Sequence, residues 1–168
     1  CLSERLEDST VAGKPEYDFS ILKDCDRLIN DFPEPSILIN TFGTLDDHWW
    51  NSITSNYVAP AYLTIEYYKK LSQGHIINIS SMSSWWPSYP GISDSRLYYG
   101  LGKSNLSDFG KHFNRSTVDD KKPVIVTTIE PGRFQSKMSN NTGMNVDQIV
   151  DLVEFAISSG TNHISLIK

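Results

Sequence analysis

Two side chains four residues apart, Tyr99 and Lys103, form the pair in this sequence best suited to proton transfer. Positions four apart share one face of a helix. A lysine ammonium on that face would favour the phenolate and lower the tyrosine pKa from about 10 toward neutrality. A phenol tuned in this way can donate or accept a proton near physiological pH. Tyr and Lys at this spacing are also common on ordinary helices, so the pair alone does not identify a catalytic site.

Small polar residues follow three short apolar runs elsewhere in the chain. The three segments are Asn40-Thr41-Phe42-Gly43, Ser80-Ser81-Met82-Ser83 and Glu130-Pro131-Gly132. In an open parallel sheet, ligands bind beyond the carboxyl ends of the strands. Hydroxyl, amide and glycine groups would therefore meet at one edge, as a nucleotide site requires. The alternative is that these residues are simply the turn formers that commonly follow strands.

The elements that must position these residues alternate along the chain. Four runs rich in β-branched residues have the length of strands, and near-continuous apolar strands indicate a sheet covered on both faces. Stretches with helical spacing of apolar residues separate them, one broken near Pro60. The predicted strands are residues 36–39, 75–79, 124–129 and 164–167, and the predicted helices are residues 21–32, 46–71, 99–113 and 146–158. This order predicts an α/β fold with a doubly wound parallel sheet in three layers, and the 168 residues suit one domain, 1–168.

Together these pieces resemble the short-chain dehydrogenase/reductase family. Its members carry an Asn-Asn-Ala-Gly turn, an Asn in the next helix, a Ser after the following strand and a Tyr-x-x-x-Lys motif. The matching residues here are Asn40 to Gly43, Asn56, Ser81, Tyr99 and Lys103. The resemblance implies that Tyr99 is the general acid/base, that Lys103 lowers its pKa and holds the nicotinamide ribose, that Ser81 binds the substrate oxygen, and that Asn56 holds a water in a proton relay.

The resemblance also implies a Rossmann-type fold with a bound NAD or NADP. Pro131 and Gly132 match the family's Pro-Gly turn, Ser136 stands where a Thr often contacts the nicotinamide amide, and Asp18 and Phe19 resemble an Asp-Val pair that touches adenine. The implied cofactor-binding residues are Asp18, Phe19, Asn40, Gly43, Tyr99, Lys103, Pro131, Gly132 and Ser136. The implied reaction is hydride transfer between nicotinamide and a small-molecule carbonyl or alcohol, with no preference between the two cofactors.

The sequence departs from the family pattern in three places. Thr41 and Phe42 replace Asn and Ala in the turn. Residues 81–99 form a longer stretch than usual, containing Trp85 and Trp86, which are candidates for a substrate-pocket wall. This leaves Ser80 and Ser83 open beside Ser81 as the catalytic serine. The family's glycine-rich phosphate turn, first strand and first helix are absent, so we expect these residues to be a portion of a longer polypeptide.

Composition narrows the possible partners. The net charge of −5 gives no electrostatic reason to expect nucleic acid or an anionic membrane surface. No apolar run approaches the roughly 18 residues of a membrane span. The two cysteines form no CxxC motif, so a reducing cytoplasm is predicted. The histidines lack metal-ligand spacing, and the adjacent Asp46-Asp47-His48 cannot all face one ion on a helix. No metal is predicted.

Two other functions stay open at this stage. One is a catalytically inactive NAD(P)-binding sensor or scaffold. The other is a nucleotide-sugar epimerase or dehydratase of the extended branch, which shares Tyr-x-x-x-Lys; the short region after Gly132 argues against it. The resemblance further implies a homodimer or homotetramer that packs residues 46–71 and 99–116 against a second copy. We expect Tyr67, Leu106 and Phe113 to be buried in that interface.

Overall fold

A computed structural model of the chain describes residues 16–84, 93–161 and 163–166. The strands are β1 (Ile37–Asn40), β2 (Gly74–Ile79), β3 (Val124–Pro131) and β4 (His163–Leu166). The helices are α1 (Leu22–Asp31), α2 (Trp49–Ile53), α3 (Ala59–Lys70), α4 (Asp94–Ser116) and α5 (Val146–Ser159). A π-helical turn, Thr54–Val58, joins α2 to α3, and short 3-10 turns lie at Met82–Ser84 and Lys137–Ser139.

The four strands form one parallel sheet in the order β1-β2-β3-β4. Neighbouring residues of β2 point to opposite faces: Ile76 packs with α1 and α3, whereas Ile77 packs with α5. Helices therefore cover both faces, which explains why the strands are almost continuously apolar. The predicted three-layer α/β architecture is confirmed. Strand β1 has no partner on its outer edge among the described residues.

The elements differ from those predicted at several ends, and three of the differences bear on the site. Helix α4 begins at Asp94, so Tyr99 lies in its second turn instead of opening it. Asp94 favours this earlier start because a carboxylate stabilises the positive end of a helix. Strand β3 continues to Pro131, which pairs with Leu166. The helical path over 49–70 is not broken near Pro60, because the π-helical turn precedes this residue and leaves its missing N–H without consequence.

The expected dimer-interface residues were wrongly chosen. Tyr67 and Leu106 are fully buried within this chain. The Tyr67 hydroxyl donates a hydrogen bond of 2.8 Å to the carbonyl oxygen of Phe32. Phe113 packs edge-to-face on Tyr68 against the same core. Tyr67 packs with α1 and β2 in the core and Leu106 is 0% exposed, so neither side chain is available to a second copy.

The contact between α4 and β3 depends on a glycine. A Cβ atom added to Gly110 would lie 2.1 Å from Oγ1 and 3.1 Å from Cβ of Thr128. Because Thr128 is β-branched and buried, it cannot swing away. We expect Gly110→Ala to lower the free energy of unfolding by about 1–3 kcal/mol, the usual cost of overpacking, as measured by urea denaturation.

The matched control for this prediction lies in the same helix. Gly100 has open space, since an added Cβ would come no closer than 3.5 Å to the Ser83 carbonyl oxygen. Gly100→Ala should raise the free energy of unfolding by roughly 0.5–1 kcal/mol through helix propensity alone. Equal effects of the two alanines would contradict a close α4–β3 contact.

Across the described residues, no helix combines the length and the apolar character that crossing a bilayer requires.

Candidate active site

Ser81, Tyr99 and Lys103 meet beyond the carboxyl end of β2. Ser81 lies two residues beyond the end of the strand, and its side chain interacts with the Tyr99 phenol. The Lys103 Nζ atom lies 6.0 Å from the centre of the Tyr99 ring. The structure thus brings together the three residues that the family resemblance implied. Their catalytic roles stay predictions.

The three candidate serines occupy different environments. The Ser80 side chain is buried and donates to the Lys103 carbonyl oxygen at 2.7 Å. Ser83 is exposed, and its backbone N–H donates to the Ser81 hydroxyl at 3.1 Å. Ser81 is only partly buried and faces Tyr99. Position therefore favours Ser81 as the residue that a substrate oxygen would meet.

Lys103 is almost completely buried, with 3% of its surface exposed. Its Nζ donates to the carbonyl oxygen of Ile79 at 2.8 Å and to that of Phe42 at 3.3 Å. Ile79 is the last residue of β2, and Phe42 lies just after β1. The lysine therefore joins the ends of both strands to α4. Burial disfavours the charged form and lowers the pKa of Lys103 to about 7. When the amine is protonated, one of its three N–H donors remains for another partner.

The expected low pKa of Tyr99 is wrong for this structure. Burial of the phenol raises its pKa above the ordinary value of 10.0, and the hydrogen bond from Ser81 opposes this only in part. Desolvation penalises a phenolate wherever water is excluded. Lys103 offsets that penalty only weakly, because its amine is 6.0 Å from the ring centre and, with a pKa of about 7, is only partly protonated near pH 7. Tyr99 is therefore a protonated hydrogen-bond donor at physiological pH.

Asn56 lies in the π-helical turn and is fully buried. Its Nδ2 donates to the carbonyl oxygens of Thr44 and Ser52, each at 2.8 Å. Its Oδ1 accepts from the Thr44 N–H at 3.2 Å. The side chain thus fixes the loop after β1 to the helix, and π-helical turns are frequent at functional sites. The water that the resemblance assigns to Asn56 stays a prediction.

Gly43 allows the turn after β1 to approach the site closely. A Cβ atom at this position would lie 2.6 Å from Asn56 Oδ1 and 3.3 Å from Lys103 Nζ. Any side chain would therefore fill the space above the lysine. Asn40, at the start of the same turn, points into the sheet, where its Nδ2 donates to Asn78 Oδ1 at 2.8 Å. The Asn40 side chain therefore joins β1 to β2 and is not free to face a ligand. The backbone of the residues after it is the part of the turn that remains accessible.

Asp18 and Phe19 lie beside this turn. The Asp18 carboxylate accepts from the N–H and hydroxyl of Ser20, at 3.0 Å and 2.7 Å. The Phe19 ring stacks on Phe42 with the ring centres 4.0 Å apart. The replacement of alanine by Phe42 is thus matched by an aromatic neighbour. The pair implied to touch adenine is adjacent to the turn, as that role requires.

The remaining implied cofactor residues follow β3. Pro131 is the last residue of the strand, and Gly132 comes directly after it. The Ser136 backbone N–H donates to the Ser139 hydroxyl at 3.0 Å, and its hydroxyl lies 3.3 Å from that oxygen. The polar segment that follows is closed by Met144, whose N–H donates to the Arg133 carbonyl oxygen at 2.9 Å. The proposed contacts of these three residues with a nicotinamide stay predictions.

Sequence reasoning missed several groups that shape the site. The carbonyls of Ile79 and Phe42 left no signal, because any residue can supply a backbone acceptor. Ser107 was also missed, although it lies four residues after Lys103 on the same helix face. That spacing was the available signal. Trp85 and Trp86, the candidate pocket wall, lie outside the described residues.

Over the described ranges, no cluster of three or more His, Cys, Asp or Glu residues has the arrangement to hold a metal ion. Asp46 instead orders the start of α2. Its carboxylate accepts from the His48 N–H at 2.8 Å and from Asn51 Nδ2 at 3.3 Å.

A curated plant dehydrogenase is similar to this chain in sequence. The chain is 25% identical over 178 aligned residues to 11-beta-hydroxysteroid dehydrogenase A of Sesamum indicum, covering 89% of this chain and 47% of that protein. The chain thus spans about half the length of this curated relative. No family model matches the sequence.

Solved structures share the fold over most of the chain. A 4-hydroxyisoleucine dehydrogenase complexed with NADH and succinate is 25% identical, with a TM-score of 0.71, over 90% of this chain and 78% of that one. A short-chain dehydrogenase/reductase from Serratia marcescens is 17% identical, with a TM-score of 0.72, over 89% of this chain and 73% of that one. Another structure of this fold was solved with NADPH bound.

These likenesses confirm the Rossmann-type fold predicted from the sequence. They cover about nine tenths of the chain. The resemblance first seen in the order of the motifs is borne out by the sesame relative and by the solved structures. The chain therefore has the fold and the motif order of the short-chain dehydrogenases/reductases, which it resembles in sequence at 25% identity.

Proposed function

We propose that this chain carries the catalytic residues of an NAD(P)-dependent oxidoreductase that interconverts a small-molecule carbonyl and its alcohol. The convergence of Ser81 and Lys103 on Tyr99 is the observation that carries the proposal. The named relatives support it, since they are dehydrogenases and reductases, some solved with NADH or NADPH. The substrate and the choice between NAD and NADP are left open by this argument.

The residues present fit a dinucleotide. Gly43 leaves room above Lys103 that a Cβ would fill, and the lysine has one donor uncommitted to the two strand-end carbonyls. Lys103 and Tyr99 would hold the nicotinamide ribose, and Pro131, Gly132 and Ser136 would lie near the nicotinamide. Asn40 and Gly43 would supply the turn, with Asp18 and Phe19 near adenine. When bound, the nicotinamide supplies or accepts the hydride.

In the reductive direction, the substrate carbonyl oxygen gains negative charge as the reaction proceeds. Hydroxyl donors from Ser81 and Tyr99 would stabilise that charge, because preorganised donors cost no reorganisation at the moment of reaction. Tyr99 is protonated near neutral pH, since burial raises its pKa, so it would donate its proton to the oxygen. Lys103 would place a polar amine beside the phenol. Asn56 would keep the loop after β1 in place through its hydrogen bonds to Thr44.

Two serine variants test this proposal. The full chain would be assayed for NADH and NADPH oxidation with a panel of aldehydes and ketones. Ser81→Ala should lower kcat by about 10²-fold, as expected for the loss of one donor to a developing oxyanion. Ser116→Ala is the control, because Ser116 is an exposed serine at the far end of α4 whose hydroxyl donates to the Phe113 carbonyl oxygen at 2.8 Å, and it should behave like the parent. Equal losses in both variants would contradict the role of Ser81.

An inactive sensor or scaffold gives a different result in the same assay. It would bind NADH or NADPH, as followed by cofactor fluorescence, without turnover of any carbonyl in the panel. An epimerase or dehydratase would instead act on nucleotide sugars without net oxidation of the cofactor.

A homodimer or homotetramer in the cytoplasm stays our prediction for assembly and location, with the exposed Trp49, Trp50 and Leu101 as its apolar contacts. The solution mass of the intact protein checks the assembly.

A further inference from the structure

Three consecutive residues at the end of β2 each contact the catalytic helix α4. The carbonyl oxygen of Ile79 accepts from Lys103 Nζ at 2.8 Å. The hydroxyl of Ser80 donates to the Lys103 carbonyl oxygen at 2.7 Å. The hydroxyl of Ser81 is a partner of the Tyr99 phenol. The strand end and the helix are therefore held in one register by a backbone acceptor, a buried hydroxyl and a hydroxyl at the site.

The middle contact is supported by a second serine. Ser80 and Ser107 are both 2% exposed, and their hydroxyl oxygens lie 2.7 Å apart. A serine hydroxyl has one hydrogen to donate. Because the Ser80 hydrogen goes to the Lys103 carbonyl oxygen, the Ser107 hydroxyl must donate to Ser80. The chain of hydrogen bonds therefore runs from Ser107 through Ser80 to the backbone of Lys103.

This arrangement is more than the helix needs. Inside α4, the Lys103 carbonyl oxygen is already the acceptor for the Ser107 N–H, four residues later. Ser80 therefore adds a second donor, from another element, to the helical turn that carries the lysine. Buried hydroxyls are costly unless they are hydrogen-bonded. Small apolar residues could fill the two positions without that cost. We therefore attribute the serine pair to its effect on the register between β2 and α4.

We propose that Ser80, supported by Ser107, is a positioning residue that fixes Tyr99 and Lys103 of α4 relative to Ser81. The inference rests on the proposed function. Ser80 does not touch the reacting atoms, because its side chain faces the buried side of α4 while Ser81 faces Tyr99. It acts through the helix. A shift of one ångström between catalytic groups can cost about 10²-fold in rate.

Alanine variants of the full chain separate positioning from simple stability. We expect Ser80→Ala to lower kcat for carbonyl reduction by about 10- to 100-fold, with little change in the KM of the carbonyl substrate. Ser107→Ala should have a smaller effect, because Ser80 keeps its bond to Lys103, and it serves if the first variant folds poorly. The double variant should be no worse than Ser80→Ala alone, since both serines act through one hydrogen bond.

Thr127→Val is the matched control. Thr127 is a fully buried hydroxyl that pairs with His75 at 2.7 Å and with the Thr161 carbonyl oxygen, away from the site. Its loss should lower the unfolding free energy at least as much as Ser80→Ala does, while leaving kcat unchanged. A fall in kcat that tracks stability in all variants, Thr127→Val included, would overturn the positioning role.

A readout that needs no turnover keeps this inference separate from the proposed function. The Lys103 amine would be titrated by NMR of labelled lysine in the parent and in the variants. Burial lowers the pKa of Lys103 to about 7 in the parent. A helix loosened by Ser80→Ala would admit water and raise that pKa toward the ordinary lysine value of 10.5, whereas Thr127→Val would not. An unchanged Lys103 titration in Ser80→Ala would overturn the inference. Absence of turnover in the parent would count against the proposed function alone.

Discussion

Replacing Tyr99 by phenylalanine should lower kcat for carbonyl reduction by about 10²- to 10⁴-fold, the usual contribution of a positioned acid or base. The substitution removes only the phenolic hydroxyl, so the ring packing and the helix remain. The substrate oxygen, held by Ser81, then has no phenol beside it to donate a proton. Cofactor affinity, measured by NADH and NADPH fluorescence titration, should change far less than kcat.

Tyr98→Phe is the control for this experiment. Tyr98 is the adjacent residue of α4 and is also partly buried, but helical geometry turns it about 100° away from Tyr99. Its loss of a hydroxyl should leave kcat near the parent value. Parent-like turnover in Tyr99→Phe would show that another group supplies the proton.

The pH profile gives a second check on Tyr99. Burial raises the pKa of this phenol above 10.0, so the proton needed for reduction is present throughout the neutral range and is lost only above that pH. The reductive kcat should therefore not decline from tyrosine ionisation between pH 7 and pH 10. A decline with a midpoint near neutrality that disappears in Tyr99→Phe would contradict the burial argument.

Lys103→Met should both weaken cofactor binding and change how stability depends on pH. Methionine retains the length of the side chain and loses the three N–H donors. A hydrogen bond from a group that is not fully charged contributes about 0.5–1.5 kcal/mol, so loss of the ribose contact should weaken NADH binding by about 2- to 10-fold. Isothermal titration of the cofactor measures this directly.

The stability effect has a defined sign. Burial lowers the pKa of Lys103 to about 7 in the folded chain, against 10.5 for a lysine exposed to water in the unfolded chain. Between these values the unfolded chain binds a proton that the folded chain does not, so the free energy of unfolding rises with pH. The slope from this one group is at most about 1.4 kcal/mol per pH unit. Lys103→Met should abolish it.

The measurement belongs between about pH 7 and pH 9. Above 9.0 the Cys25 thiol acts in the opposite direction, because burial raises its folded pKa to about 12 and unfolding then releases a proton. Urea denaturation across the window should give a slope for the parent that Lys103→Met lacks. Lys111→Met on the same helix removes an exposed amine, and it should retain the parent slope. Identical slopes in all three proteins would mean that Lys103 is charged in the folded chain near neutral pH.

Local sequence patterns determined the elements and the order of the site residues. Apolar runs such as residues 75–79 predicted buried strands, and alternation with helical spacing predicted the parallel three-layer fold. These predictions succeeded because strand and helix periodicities are properties of neighbouring residues. The four-residue spacing of Tyr99 and Lys103 likewise placed both on one helix, although the start of α4 at Asp94 was missed.

Tertiary structure alone decided the electrostatics and the partners of those residues. The sequence predicted a low pKa for Tyr99 from one nearby lysine, but burial by distant segments raises the pKa of Tyr99 and lowers that of Lys103 to about 7. The same covering by distant segments places Tyr67 and Leu106 inside the chain. Desolvation depends on what covers a group from elsewhere in the fold, and no local pattern encodes it. The separation of Ser80 from Ser81 has the same origin, since only the docked helix α4 makes one serine buried and leaves the other at the site.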